Sequence, residues 1–211
     1  SGADEVVVML EDDREYDAVI IGTDPATDIA VLKIEGDDLP VAKMADSENL
    51  EVGDVVFAIG NPLGLGQTAT MGIVSATGRN YLGLIESGFE NFIQTDASIN
   101  QGNSGGALAD AYGRLIGINS MILTDGRSTG NIGIGFAVPA NLAHKVMKGL
   151  VENGSVDRGF LGVGIQPLNS ELAEGFGLEN SNGALVTEVN AGTPAEEAGL
   201  QSGDVIVEVN G

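Results

Sequence analysis

The feature that most constrains this fold is a succession of short β-branched runs separated by turn residues. Residues 6–10, 18–21, 29–34 and 55–59 are followed by similar runs at 70–74, 92–94, 115–118 and 134–138. Runs of that length, broken at Asp, Asn, Gly and Pro, predict many short strands closing into a sandwich or barrel. The 32 glycines among 211 residues follow no collagen-like period and supply the tight turns that such a fold needs. Hydrophobic residues make up 43% of the chain but aromatics only 4%, with no Trp, so the core is to be built from Val, Ile, Leu and Ala.

The period changes after Pro139. Leu142, Val146, Met147 and Leu150 recur on one helical face, with Lys145, Lys148 and Glu152 opposite. Gly154 offers a left-handed stop. One helix after a long β region marks the end of a first domain, 1–154. A second, 155–211, opens on Phe160-Leu161-Gly162-Val163. It continues with a short helix near 170–176, a strand at 184–189, a helix opened by Thr193-Pro194-Ala195-Glu196 at capping-box spacing, and a strand at 205–209. Asn210-Gly211 is a strong hairpin signal with no partner strand after it, so this domain is expected to be partial.

A net charge of −22 repels phosphate backbones and anionic membrane surfaces, so no nucleic-acid partner is expected. No apolar run reaches the roughly 20 residues of a membrane-spanning helix, and no membrane insertion is expected. There is no Cys, and no convincing metal-ligand spacing; Asp12-Asp13 and Asp37-Asp38 read as turn carboxylates. No cofactor is expected. The glycines of 60–66 lack the Lys-Ser or Lys-Thr of a phosphate-binding loop, so a turn explains them.

The stretch richest in chemistry is Gly102-Asn103-Ser104-Gly105-Gly106. A serine hydroxyl is a weak nucleophile that needs a base and a place for the developing oxyanion. Flanking glycines let the backbone turn so that N–H groups converge, and leave room for a substrate carbonyl. By itself the motif is equally an ordinary turn. Its surroundings are informative: Gln94-Thr95-Asp96-Ala97-Ser98-Ile99-Asn100 leads in and Ala107-Leu108 leads out. The run resembles the nucleophile segment of the HtrA-type proteases (the DegP and DegQ kind), within the chymotrypsin-like family. Gly60-Asn61-Pro62-Leu63-Gly64, the stretch from Thr23 to Leu32 and that from Gly133 to Pro139 are similar to further segments of that family, in its order.

The resemblance implies an all-β fold: a chymotrypsin-like double β-barrel, the first barrel incomplete, then a partial PDZ domain. It implies a serine endopeptidase of the protein quality-control type with Ser104 as nucleophile. The N–H groups of Gly102, Asn103 and Ser104 would form its oxyanion hole, and Asp28 would be the carboxylate that orients the catalytic histidine. Relatives that cut after Lys or Arg have an Asp six residues before the nucleophile. Here Ser98 stands there, followed by Ile99, so unfolded polypeptides with an aliphatic P1 residue are the expected substrates. Phe160, Leu161, Gly162 and Val163 are similar to a PDZ carboxylate loop, which receives a peptide C-terminus. Whole members are trimers or larger, in the bacterial periplasm or cell envelope.

One member of the triad is missing from the reading. The only histidine, His144, falls on the helix after the barrels. The family's histidine lies about thirty residues before the aspartate, so it is expected just upstream of Ser1, and this chain is expected to be weak or inactive alone. The alternative is a non-catalytic peptide-binding or holdase module, which a different residue at that upstream position would favour. Segments 78–91 and 123–131 match loops that shape the substrate pocket in the family.

Overall fold

A computed structural model describes residues 5–62, 66–85, 89–124 and 130–209. The expectations placed on Ser1 to Asp4, on Leu63 and Gly64, on parts of the 78–91 and 123–131 loops and on Asn210-Gly211 lie outside them. The chain divides into two units, 1–156 and 157–211.

The first unit is mostly strand. β1 (Val6–Met9), β2 (Glu15–Asp24) and β3 (Ile29–Lys33) form an antiparallel three-stranded sheet in the order β1-β2-β3. A bulge between Ile20 and Gly22 bends β2. β4 (Val55–Gly60), β5 (Thr68–Arg79), β6 (Phe92–Thr95), β7 (Ala107–Asp110), β8 (Leu115–Ile122) and β9 (Gly135–Pro139) close into a barrel of order β4-β5-β6-β9-β8-β7. One closed barrel beside an open sheet is the arrangement that the strand pattern and the resemblance predict.

Inward positions of the barrel are the small and branched residues that the composition requires. Val56, Ala58, Val74, Ile93, Leu108 and Ile116 are fully buried in one cluster. A second cluster is aromatic: Phe92 and Phe136 lie 5.7 Å apart between ring centroids, with Val138 beside them.

α1 (Ala140–Asn153) follows β9 directly and packs against β8, β3 and β2. Val146 and Leu150 are buried as the periodicity predicts, but Met147 is 39% exposed. Met147 stands one position past the centre of the buried stripe, and its flexible thioether tolerates the boundary. Gly154 ends the helix in the left-handed region, φ +73°, with its N–H on the Leu150 carbonyl. This is the conformation for which glycine has no Cβ penalty.

The second unit has β10 (Val163–Pro167), β11 (Ala184–Val189) and β12 (Val205–Ile206) in one antiparallel sheet, with α2 (Ser170–Gly175) and α3 (Pro194–Glu197) in the connections. Two local expectations differ. The last strand stops at Ile206, and Val207 and Val209 are exposed. Thr193 precedes α3 without capping it: its hydroxyl donates to the Asn190 carbonyl at 2.7 Å. Glu196 accepts the Gly192 N–H at 2.8 Å, one residue earlier than a capping box requires.

Candidate active site

The turn expected to carry the nucleophile joins β6 to β7. Gly102 has φ +99°, and the Asn103 N–H closes the turn on the Asn100 carbonyl at 2.9 Å. This leaves Ser104 exposed while Asn103 is 1% exposed beneath it. Gly106 lets the turn pass close to β4: a Cβ there would stand 2.1 Å from the Ile59 carbonyl oxygen. Of the three N–H groups expected at an oxyanion hole, that of Asn103 is already donated within the turn. Those of Gly102 and Ser104 have no acceptor among the described residues.

β8 clasps this turn. The Asn119 N–H donates to the Gly106 carbonyl and the Asn119 carbonyl accepts the Gly105 N–H. Its amide nitrogen also donates to the carbonyls of Ile59 and Ala107, each at 3.1 Å. The side-chain oxygens of Asn103 and Asn119 are buried and unpaired among the described residues. Such groups carry a desolvation cost that ordinary core residues avoid.

Asp28 lies at the end of the turn between β2 and β3, in the left-handed region at φ +59°. Thr27 and Asp24 fix that turn through a buried bond from the Thr27 hydroxyl to the Asp24 carboxylate. The Asp28 carboxylate accepts the Ser120 hydroxyl at 2.5 Å, and the Ser120 carbonyl accepts the Ser104 hydroxyl at 2.7 Å. Ser104 and Asp28, 76 positions apart in the numbering of the chain, are therefore joined through one residue of β8. Asn119 and Ser120 were not singled out by the sequence reading. The signal was present: two consecutive polar residues interrupt the apolar run of residues 115–123.

His144 is exposed on α1 and bonds to neither Ser104 nor Asp28. The acceptor that Ser104 does have is a carbonyl oxygen, which orients the hydroxyl but cannot take its proton.

The residues expected to shape a substrate pocket occupy contrasting places. Ser98 is exposed, and its carbonyl accepts the Thr70 hydroxyl at 2.8 Å and the Asn103 amide at 3.3 Å. Ile99 is 1% exposed and belongs to the barrel core. The neighbouring loop is tied down through Asn131, whose N–H donates to the Asn100 side chain and whose amide donates to the Ile99 carbonyl, each at 3.0 Å.

In the second unit the Leu161 carbonyl accepts the Ala195 N–H and the Gly162 carbonyl accepts the Asn190 N–H, while Phe160 is 71% exposed. Val163 opens β10, paired with Val189.

Comparison with known proteins shows the family. Residues 1–118 match the trypsin-like peptidase domain model, and residues 185–211 match a PDZ domain model. A probable periplasmic serine endoprotease, DegP-like, from a Marinomonas species is 54% identical over 210 residues, which cover 100% of this chain and 44% of that protein. The periplasmic pH-dependent serine endoprotease DegQ of Escherichia coli is 49% identical over 99% of this chain and 45% of its own length. The chain thus spans under half the length of these relatives. Among solved structures, the HtrA-type protease AlgW with a tripeptide is 53% identical, with a TM-score of 0.83 over 97% of this chain and 67% of that one. These matches show that the chain belongs to the trypsin-like peptidases of the HtrA type.

Proposed function

We propose that this chain carries the nucleophile, the oxyanion donors and the orienting acid of a periplasmic serine endopeptidase that acts on unfolded polypeptides. The observation that carries this reading is the connected path from Ser104 through Ser120 to Asp28. Ser104 is an exposed residue, and the Asp28 carboxylate is held by the Ser120 hydroxyl. In acyl transfer Ser104 Oγ attacks the scissile carbonyl, and the N–H groups of Gly102 and Ser104 are the donors available to its oxyanion. The proton of Ser104 has to reach an imidazole set between Ser104 and Asp28, with Asp28 orienting that imidazole and stabilising it when charged. Among the described residues no imidazole stands between them, since His144 is exposed on α1 and bonds to neither.

For specificity we favour an aliphatic P1 residue, because Ser98 offers no carboxylate to a cationic side chain leaving water. The loop at Phe160 to Val163 is proposed as a peptide-carboxylate receptor, and a homotrimer as the assembly of the longer protein. The test is reaction with a fluorophosphonate probe in the presence of free imidazole, followed by peptide mapping. A single adduct on Ser104, absent in Ser104→Ala, supports the reading; adducts scattered over surface serines overturn it.

A further inference from the structure

The loop between β5 and β6 is held by one carboxylate. Glu90 accepts four backbone N–H groups: those of Leu82 and Gly83 on one oxygen and those of Leu84 and Ile85 on the other, at 2.5–3.2 Å. The backbone is bent to allow this, with Tyr81 at φ +55° and Gly83 at φ +68°. A non-glycine residue in that region costs free energy that the four bonds offset.

What the clamp holds in place bears on the active site. Leu84 and Ile85 pack on the Phe92, Phe136 and Val138 cluster. Ile29, next to Asp28, and Met121, next to Ser120, pack on the same cluster. The residue before Glu90 adds a direct bond: the Phe89 N–H donates to the Ala26 carbonyl at 2.8 Å, inside the turn that presents Asp28.

We propose that Glu90 is a positioning residue for the catalytic acid, clamping the 82–85 loop so that the Asp28 turn and Ser120 are seated from beneath. The inference rests on the reading of Asp28 given above. It assigns to Glu90 no contact with substrate; its action runs through the loop and the aromatic cluster.

The clamp has a pH dependence of known sign. Burial pushes the Glu90 carboxyl up, but the N–H groups of Ile85, Leu82, Leu84 and Gly83 outweigh it and hold the group below its ordinary value of 4.5. A depressed value means that the clamp is fully formed above pH 4.5 and is lost as pH falls through the folded-state value. Among the described residues, the other charged or titratable groups on the elements around it include Tyr81 and Arg79 on its own segment, Asp28 before β3, and His144 and Lys145 on α1, which packs on the same cluster through Leu142 and Ala143. Arg79 is taken by the Gln94 side chain at 2.8 Å, and no lysine or arginine among the described residues pairs with Glu90.

The experiment is amide hydrogen exchange on the whole chain, wild type and Glu90→Gln, combined with imidazole-supported labelling of Ser104. A glutamine keeps the size of the side chain but loses the charge and turns one acceptor into a donor. Loss of charge-assisted bonds is expected to lower protection of the Leu82, Leu84 and Ile85 amides by roughly tenfold or more. The Thr27, Asp28 and Phe89 amides are expected to lose protection with them, while Val74 in the barrel and Val186 in the second unit keep theirs. Lowering the pH of the wild type below 4.5 reproduces the pattern without a mutation, and Glu90→Gln no longer responds to it. At neutral pH, where free imidazole is a base, Ser104 labelling slows in Glu90→Gln in parallel. Loss of protection confined to 82–85, or lost equally at Val74, overturns the proposal. If Asp28→Asn labels as fast as wild type, the acid assignment falls instead, whatever the amides show.

Discussion

Replacing Gly106 by Ala tests the steric argument at the nucleophile turn. The added Cβ would lie 2.1 Å from the Ile59 carbonyl oxygen and 2.9 Å from that of Asn103. Both contacts are with backbone, so no side chain can swing away. Ile59 is held in β4 between β5 and β7, and its carbonyl also accepts the Asn119 amide. Overpacking of this kind costs roughly 1–3 kcal/mol. Losing the Asn119 bond adds roughly 0.5–1.5 kcal/mol. A total of about 1.5–4.5 kcal/mol corresponds to a roughly 10- to 1,600-fold rise in the opening constant.

The two units make a single unfolding free energy ill-defined, so the assay is amide exchange read at buried barrel positions such as Val74 and Ile116. Gly113→Ala is the control. It has φ +73° with open space around its Cβ, so only left-handed strain of roughly 1–2 kcal/mol is expected. If Gly106→Ala costs no more than Gly113→Ala, the close approach of β4 and the turn is not what requires glycine there.

Three further outcomes are expected. Phe136→Ala empties the centre of the aromatic cluster and should lower barrel protection by about 3–5 kcal/mol in amide exchange, against little change in the second unit. Burial pushes the Asp110 carboxyl up, but the Arg114 N–H and guanidinium and the Tyr112 N–H bring it below its ordinary value of 3.8. Asp110→Asn should therefore lower the melting temperature at pH 7, and the difference from wild type should vanish as pH falls below 3.8. Phosphonate probes carrying Val at the P1 position should label Ser104 roughly tenfold or more faster than probes carrying Arg, with imidazole present, and the reverse order would remove the specificity argument.

The strands with branched residues were legible because their alternation is local, and α1 because its 3.6-residue period is. β7 was not read as a strand: Ala107-Leu108-Ala109-Asp110 has little β-propensity, and pairing with β4 and β8 makes it extended. The roles proposed for Ser104 and Asp28 came only from family resemblance, since either residue alone is an ordinary turn residue. Ser120 was marked only by its polarity in an apolar run, and its partner was not legible, because the bond is to a residue 92 positions away. Glu90 escaped for a similar reason. Nothing in its neighbours shows that four N–H groups converge on it until the loop is folded. Met147 and Thr193 show the reverse failure, where a local pattern was correct in type but the side chain went elsewhere: Met147 to the edge of the buried stripe, and the Thr193 hydroxyl to the Asn190 carbonyl three positions earlier.

The central claim is that Ser104 and Asp28 act together, with a base to be placed between them. The most direct measurement is the rate of fluorophosphonate labelling of Ser104 as free imidazole is titrated into wild type, Ser104→Ala and Asp28→Asn. The account predicts an imidazole-dependent rise in wild type, no adduct in Ser104→Ala, and a much smaller rise in Asp28→Asn, whose amide cannot stabilise an imidazolium. Equal acceleration in wild type and Asp28→Asn, or none in either, would contradict it.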